Sequence, residues 1–244
     1  NVTIPSSVKT IGQNAFRMAT SLESVNFGDS VTVIEKSAFQ SCDSLVTVKL
    51  PSSLTKLGGH AFYACESLSD IEIPSTLTTI EDYTFSNCKS LSNVTLPNSI
   101  TSIGDSAFSG CISLSDIQLS ENLTTIGKYA FSRCTSLQEI SIPAKTTFIG
   151  RSAFYDSGLT KAYFPEGMTG WYRCADYTVL KYAGGGKDII QLEARIKDSI
   201  IVSSSNPLDA ANKLKERLEK HIDYNDTSSY NIGVPVSGYD WKKK

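Results

Sequence analysis

Seven phenylalanines, Phe16, Phe39, Phe62, Phe85, Phe108, Phe131 and Phe154, stand 23 residues apart without a slip. A fixed period in the range of roughly 20–50 residues marks stacked supersecondary units, each unable to bury its apolar face alone. Such a stack presents long surfaces rather than one closed pocket, which weighs against an enzyme. Other apolar columns keep the same period. Ile11, Ile34, Leu57, Ile80, Ile103, Ile126 and Ile149 precede each Phe by five residues, and Leu22, Leu45, Leu68, Leu91, Leu114 and Leu137 follow it by six. The seventh repeat is one residue shorter, and its leucine is Leu159.

Within one repeat the segment Leu68-Ser-Asp-Ile71-Glu-Ile73 alternates apolar and polar at its end, which predicts a short strand. Pro51, Pro74, Pro97, Pro143 and Pro165 then stop it, because proline cannot donate to a ladder. A second short strand is expected over Leu77–Ile80 and its equivalents, and a tight turn before each Phe, as at Asp105-Ser-Ala107. Little helix is expected in this region. With strands about 4.8 Å apart, seven coils make a rod roughly 35 Å long.

The strand part matches the leucine-rich-repeat form L-x-x-L-x-L, but Thr76 stands where the commonest form has asparagine. The signature instead runs I-P-x-x-L-T-x-I-G-x-x-A-F-x-x-C-x-S-L, as in Leu119 to Leu137 with Ser120 for the proline. In these residues the chain resembles the BspA-like leucine-rich repeats of bacterial and protist surface proteins, over residues 1–165. The resemblance implies a β-rich leucine-rich-repeat solenoid of seven 23-residue coils. It also implies a surface or secreted adhesion module that binds a host or neighbouring-cell protein or glycan. An intracellular interaction scaffold of the same fold is the alternative.

Val2 and Ile4 align with the Val25 and Phe27 columns, so the sequence opens partway through a coil and is expected to be a fragment of a longer protein. After Phe164 the repeat dissolves. Residues 166–186 are expected to form a cap or hairpin and a Gly-rich linker ending in Gly184-Gly185-Gly186. Residues 187–244 are expected to form a small α+β segment. Asn206-Pro207 starts a helix at about 207–222, with Leu208, Ala211, Leu214, Leu218 and Ile222 on one face.

The net charge of −2 carries no basic stripe, which excludes phosphate-dominated nucleic-acid binding. No run of 18 apolar residues exists, so no membrane insertion is expected in this fragment. Cys42, Cys65, Cys88, Cys111 and Cys134 form a further column. Stacked coils would bring their Cα atoms within disulfide range, at about 5 Å. A ladder of structural thiols, adjacent-coil disulfides and a metal site all fit that spacing. Ala19 and Ser157 in the same column favour the first, since the slot accepts any small side chain.

Catalytic constellations are poorly supported. The two histidines are His60, expected as an exposed turn variant rather than a base, and His221, closing the helix where a cation suits the dipole. Gly184-Gly185-Gly186-Lys187 lacks the phosphate-loop spacing, and no cofactor or metal is expected. A threonine column (Thr32, Thr55, Thr78, Thr101, Thr124, Thr147) fits an exposed strand face and, less well, an ice-binding face.

The columns of free choice are the outward strand positions. One row runs Ser24, Thr47, Asp70, Asn93, Asp116, Glu139, Lys161; its neighbour runs Asn26, Lys49, Glu72, Thr95, Gln118, Ser141, Tyr163. In leucine-rich repeats this sheet lines the concave side. It is either a solvated face or a contact surface. As a contact surface, its expected ligand-binding residues are Lys49, Asp70, Glu72, Asn93, Asp116, Gln118, Glu139 and Tyr163.

Overall fold

The computed structural model describes residues 1–150, 152–159 and 161–163, together with the strand backbones at 171–172, 179–183, 188–192 and 201–204. The 23-residue period becomes a solenoid in which each coil is its own crossover between parallel strands. Numbered in chain order, the strands alternate between two series. The long series is β1 (Val2–Thr3), β3 (Ser24–Asn26), β5 (Thr47–Lys49), β7 (Asp70–Glu72), β9 (Asn93–Thr95), β11 (Asp116–Gln118), β13 (Glu139–Ser141) and β15 (Lys161–Tyr163). The short series is β2 (Thr10–Ile11), β4 (Val33–Ile34), β6 (Lys56–Leu57), β8 (Thr79–Ile80), β10 (Ser102–Ile103), β12 (Thr125–Ile126) and β14 (Phe148–Ile149). Among the described residues no helix is present.

Pairing is parallel and in the register of the repeat, with Val48 opposite Ile71 and Ile103 opposite Ile126. That register keeps like residues stacked. The apolar centre of each long strand (Val48, Ile71, Val94, Ile117, Ile140) is buried, while its two flanking residues face out from β5 to β13. A one-residue slip would turn each of these faces inside out, so the alternation specifies the register.

The phenylalanines form a continuous stack. Successive rings are 5.1–5.8 Å apart at their centroids and inclined by only 2–18°. Phe39, Phe62, Phe85, Phe108 and Phe131 are wholly buried. Each such burial is worth roughly 1.5–3 kcal/mol, and each stacked pair adds about 0.5–1.5 kcal/mol. Near-parallel rings are related by the coil-to-coil translation, so their spacing measures the coil rise at that radius. It exceeds the roughly 4.8 Å between paired strands. The stack therefore bows, with the long strands on the inner, concave side.

Opposite the strands, the turn around each Phe builds a second kind of ladder. Residues two before and two after the Phe adopt the left-handed conformation: Asn14 and Met18, Ser37 and Ser41, His60 and Ala64, Tyr83 and Asn87. Gly110 is the one glycine among these positions, at φ 76°. This geometry sends the amides of the Phe and its two left-handed flankers forward to the next coil. Examples are Phe39 to Ala61, Ser41 to Tyr63 and His60 to Asp82, at 2.7–3.0 Å. The intervening amides turn back to carbonyls three residues earlier, such as Gln40 to Ser37. The turn thus satisfies its backbone without a helix or a strand, as a buried segment must.

Beyond the solenoid, β16 (Trp171–Tyr172), β17 (Val179–Ala183), β18 (Asp188–Leu192) and β19 (Ile201–Ser204) pair in the order β16-β19-β17-β18. β17 and β18 run antiparallel, and β17 and β19 parallel. The helix expected at about 207–222 and His221 lie outside the described residues.

Candidate recognition surface

The two outward rows of the long strands form one polar face. Lys49 pairs in register with Glu72, Thr47 with Asp70, Asn93 with Asp116, and Thr95 with Gln118. Asp70, Glu72, Asn93, Asp116, Gln118 and Glu139 are all exposed. Glu139 pairs with Lys161 and Ser141 with Tyr163, which puts Tyr163 at the end of the second row. Seven of the eight residues expected from the sequence therefore occupy exposed positions on the long strands, and Tyr163 holds the equivalent register position on β15.

Two grooves follow that face. The first, of about 640 Å³, is lined by Asn26, Phe27, Asp29, Lys49 and Glu72 and by Pro51, Pro74 and Pro97. The second, of about 480 Å³, is lined by Asp116, Gln118, Glu139 and Ser141. The first groove has mixed charge and an apolar rim; the second is acidic. Sequence reasoning placed Lys49 and Glu72 there but missed the rim of Phe27, Asp29 and the prolines. The signal is the proline column, which ends the strands and also rims the groove.

The cysteine column is a ladder of free, buried thiols. Each sulfhydryl donates to the carbonyl of the Phe in the preceding coil, from Cys42 to Phe16 through Cys134 to Phe108, at 3.1–3.2 Å. Burial pushes the Cys88 and Cys134 thiols up to about 12 and raises Cys111 as well. A buried thiol of that kind is a packing group and an inert one.

His60 differs from its expectation. It is half-buried rather than exposed, stacked 4.6 Å from Tyr83 and tilted at 5.8 Å against Tyr63. Its Nδ1 is buried without a hydrogen-bond partner among the described residues. Burial, with Lys36 nearby, lowers its pKa from 6.5, against an opposing pull from Asp82. The cause is the neighbouring coil: tyrosine follows histidine in the same column, and the rings stack. His60 belongs to the turn edge, opposite the polar sheet face.

The threonine column is spent internally. Thr32, Thr55, Thr101, Thr124 and Thr147 each donate a hydroxyl to a carbonyl of the preceding coil at 2.9–3.4 Å. Hydroxyls committed in this way brace one coil against the next.

Comparison with known proteins returns the same repeat architecture. The model of the BspA type leucine rich repeat region matches residues 1–80 and 55–175, in 6 copies. The chain belongs to the BspA-type leucine-rich repeat family. Among solved structures, a leucine-rich repeat protein from Eubacterium ventriosum is 30% identical, with a TM-score of 0.63. The match covers 69% of this chain and 45% of that one, so the chain spans under half of that relative's length. The T. pallidum leucine-rich repeat protein is 32% identical with a TM-score of 0.60, over 63% of this chain and 74% of that one. No curated protein matches. Among the described residues of this family member, no helix is long and apolar enough to cross a membrane.

Proposed function

We propose that this chain is a non-catalytic recognition module, displayed at a cell surface or secreted, which binds a protein or glycan through the concave sheet. The observation that carries the reading is the contrast across each long strand. From β5 to β13 the central residue is buried and both neighbours point outward, so ten exposed side chains vary freely on an unvarying frame. The frame is rigid before binding, which limits the ordering cost of association. Polar contacts spread along the coils would set specificity. The family supports a surface role, and the position of His60 on the opposite edge leaves the sheet face to contact rather than proton transfer.

The test is binding of the chain to an array of host matrix proteins, cell-surface glycans and bacterial surface polymers. A variant carrying Glu72→Arg, Asp116→Arg and Glu139→Arg runs beside it. The expected result is a hit that the variant loses while keeping its thermal midpoint. A hit retained by the variant would move the site off the concave face. No hit at all would remove the adhesion reading and favour an intracellular scaffold, with which five free thiols are compatible.

A further inference from the structure

Four ladders tie each coil to the next: long strands, short strands, threonine hydroxyls and turn amides. Three of them are interrupted at the same junction, between the coil of Phe62 and the coil of Phe85. The long-strand sheet runs β1-β3-β5-β7 and resumes at β9; the short-strand sheet runs β2-β4-β6 and resumes at β8. Thr55 donates to Thr32, and Thr101 to Thr78, but among the described residues no such rung joins Thr78 to Thr55. The Phe62–Phe85 spacing is the widest of the stack, at 5.8 Å. The long-strand sheet also pauses between β11 and β13, but there the short strands and the Thr124–Thr101 rung continue.

The turn ladder crosses the junction unbroken. His60 donates to Asp82, Phe62 to Thr84 and Ala64 to Ser86, at 2.8–3.0 Å. The His60–Tyr83 stack and the 2.7 Å ion pair of Lys89 with Glu66 reinforce it; away from the turn the junction keeps the Thr76 hydroxyl on the carbonyls of Ser52 and Leu54 and the Ser90 amide on the Glu66 carbonyl.

The local sequence supplies a cause. The residue before each Phe is alanine in six coils, Ala15, Ala38, Ala61, Ala107, Ala130 and Ala153, and threonine only at Thr84. Thr84 is wholly buried, and its hydroxyl turns back to the carbonyl of Glu81 at 2.8 Å. A β-branched side chain in a methyl-sized slot overpacks the core, and the coils relieve it by separating.

We infer that this junction is a hinge: Thr84 wedges the two coils apart, the strand ladders yield, and the turn amides act as the pin. The solenoid is then two blocks. Lys49, Asp70 and Glu72 belong to one; Asn93, Asp116, Gln118 and Glu139 belong to the other. Opening alters the curvature of the concave face between Glu72 and Thr95 and moves Pro97 relative to the rest of the first groove's lining, while the second groove keeps to one block. Local opening of this kind lies at the low-energy end of native fluctuations.

Hydrogen exchange on the whole chain tests this. The amides of Thr78, Glu81 and Ser92 should exchange at least about tenfold faster than their equivalents Thr101, Gly104 and Ser115. The pin amides of His60, Phe62 and Ala64 should stay as protected as those of Tyr83, Phe85 and Asn87. Thr84→Ala installs the residue the other coils already use, and should slow the fast set to within about threefold of its equivalents. Equal exchange at the two junctions overturns the hinge. So does loss of protection at the pin amides, or a Thr84→Ala variant that leaves the contrast unchanged.

Discussion

The phenylalanine column and the concave rows share one period but obey different rules. Seven of seven coils carry Phe in the stack, whereas the row through Asp70 holds Ser24, Thr47, Asp70, Asn93, Asp116, Glu139 and Lys161. The first slot is closed by rings on both sides; the second opens to solvent. Where neighbouring coils fill the space, packing permits one residue type. Where they do not, the chain is free to encode something else.

The comparison can be broken most directly by emptying a slot of each kind. Phe108→Ala should cost about 3–5 kcal/mol in denaturant unfolding, since both flanking rings lose a partner. Asp116→Ala, in the same coil, should stay within about 0.5 kcal/mol. Comparable losses at both sites would mean that the outward row is also structural. Overfilling comes next. Cys88→Leu should destabilise by about 1–3 kcal/mol, because the thiol slot is sized for a small side chain. Cys88→Ala should cost less, as Ala19 occupies the same column.

A smaller effect of opposite sign is expected at the turn. Ala64 holds φ 56°, a conformation costing an L-residue roughly 1–2 kcal/mol. Ala64→Gly should therefore raise the melting midpoint, while Ala61→Gly in the adjacent packed slot should lower it.

The smallest effect concerns pH. His60 titrates below 6.5 in the folded chain because burial disfavours its cation. The unfolded chain then binds the extra proton first, so this contribution to stability is complete above pH 6.5 and is lost as pH falls through the folded value. Unfolding midpoints of the parent and a His60→Asn variant should diverge below pH 6.5 and run parallel above it. Parallel curves throughout would place His60 in water, contrary to the stack with Tyr83.

Much of this fold was legible because each inward column repeats a chemical type, and the strand alternation names which rows face out. The left-handed turn positions were not legible. Ser37, His60, Ala64, Tyr83 and Arg133 occupy them, and no glycine or asparagine pattern announces the geometry. It is imposed by forward bonding to the next coil rather than by local preference. His60 was misplaced for the same reason: its environment comes from Tyr83, a coil away. The polar rows of the site could be read directly, whereas the proline rim of the first groove required the third dimension.

The turn ladder has one further consequence. Its interlocking amides all point the same way: residues 37, 39 and 41 donate to 59, 61 and 63, and residues 60, 62 and 64 donate to 82, 84 and 86. Each peptide group contributes about 3.5 D, and strand dipoles in a sheet largely cancel. Along the turn edge three columns of peptides instead add head to tail over the length of the rod. The turn edge is thereby polar along the axis, negative toward its first coil and positive toward its last, and the amides of the short-strand edge, such as Thr55 to Thr32 and Gly58 to Ile34, run opposite to it. This axial field belongs to the backbone, so exchanging surface charges does not abolish it.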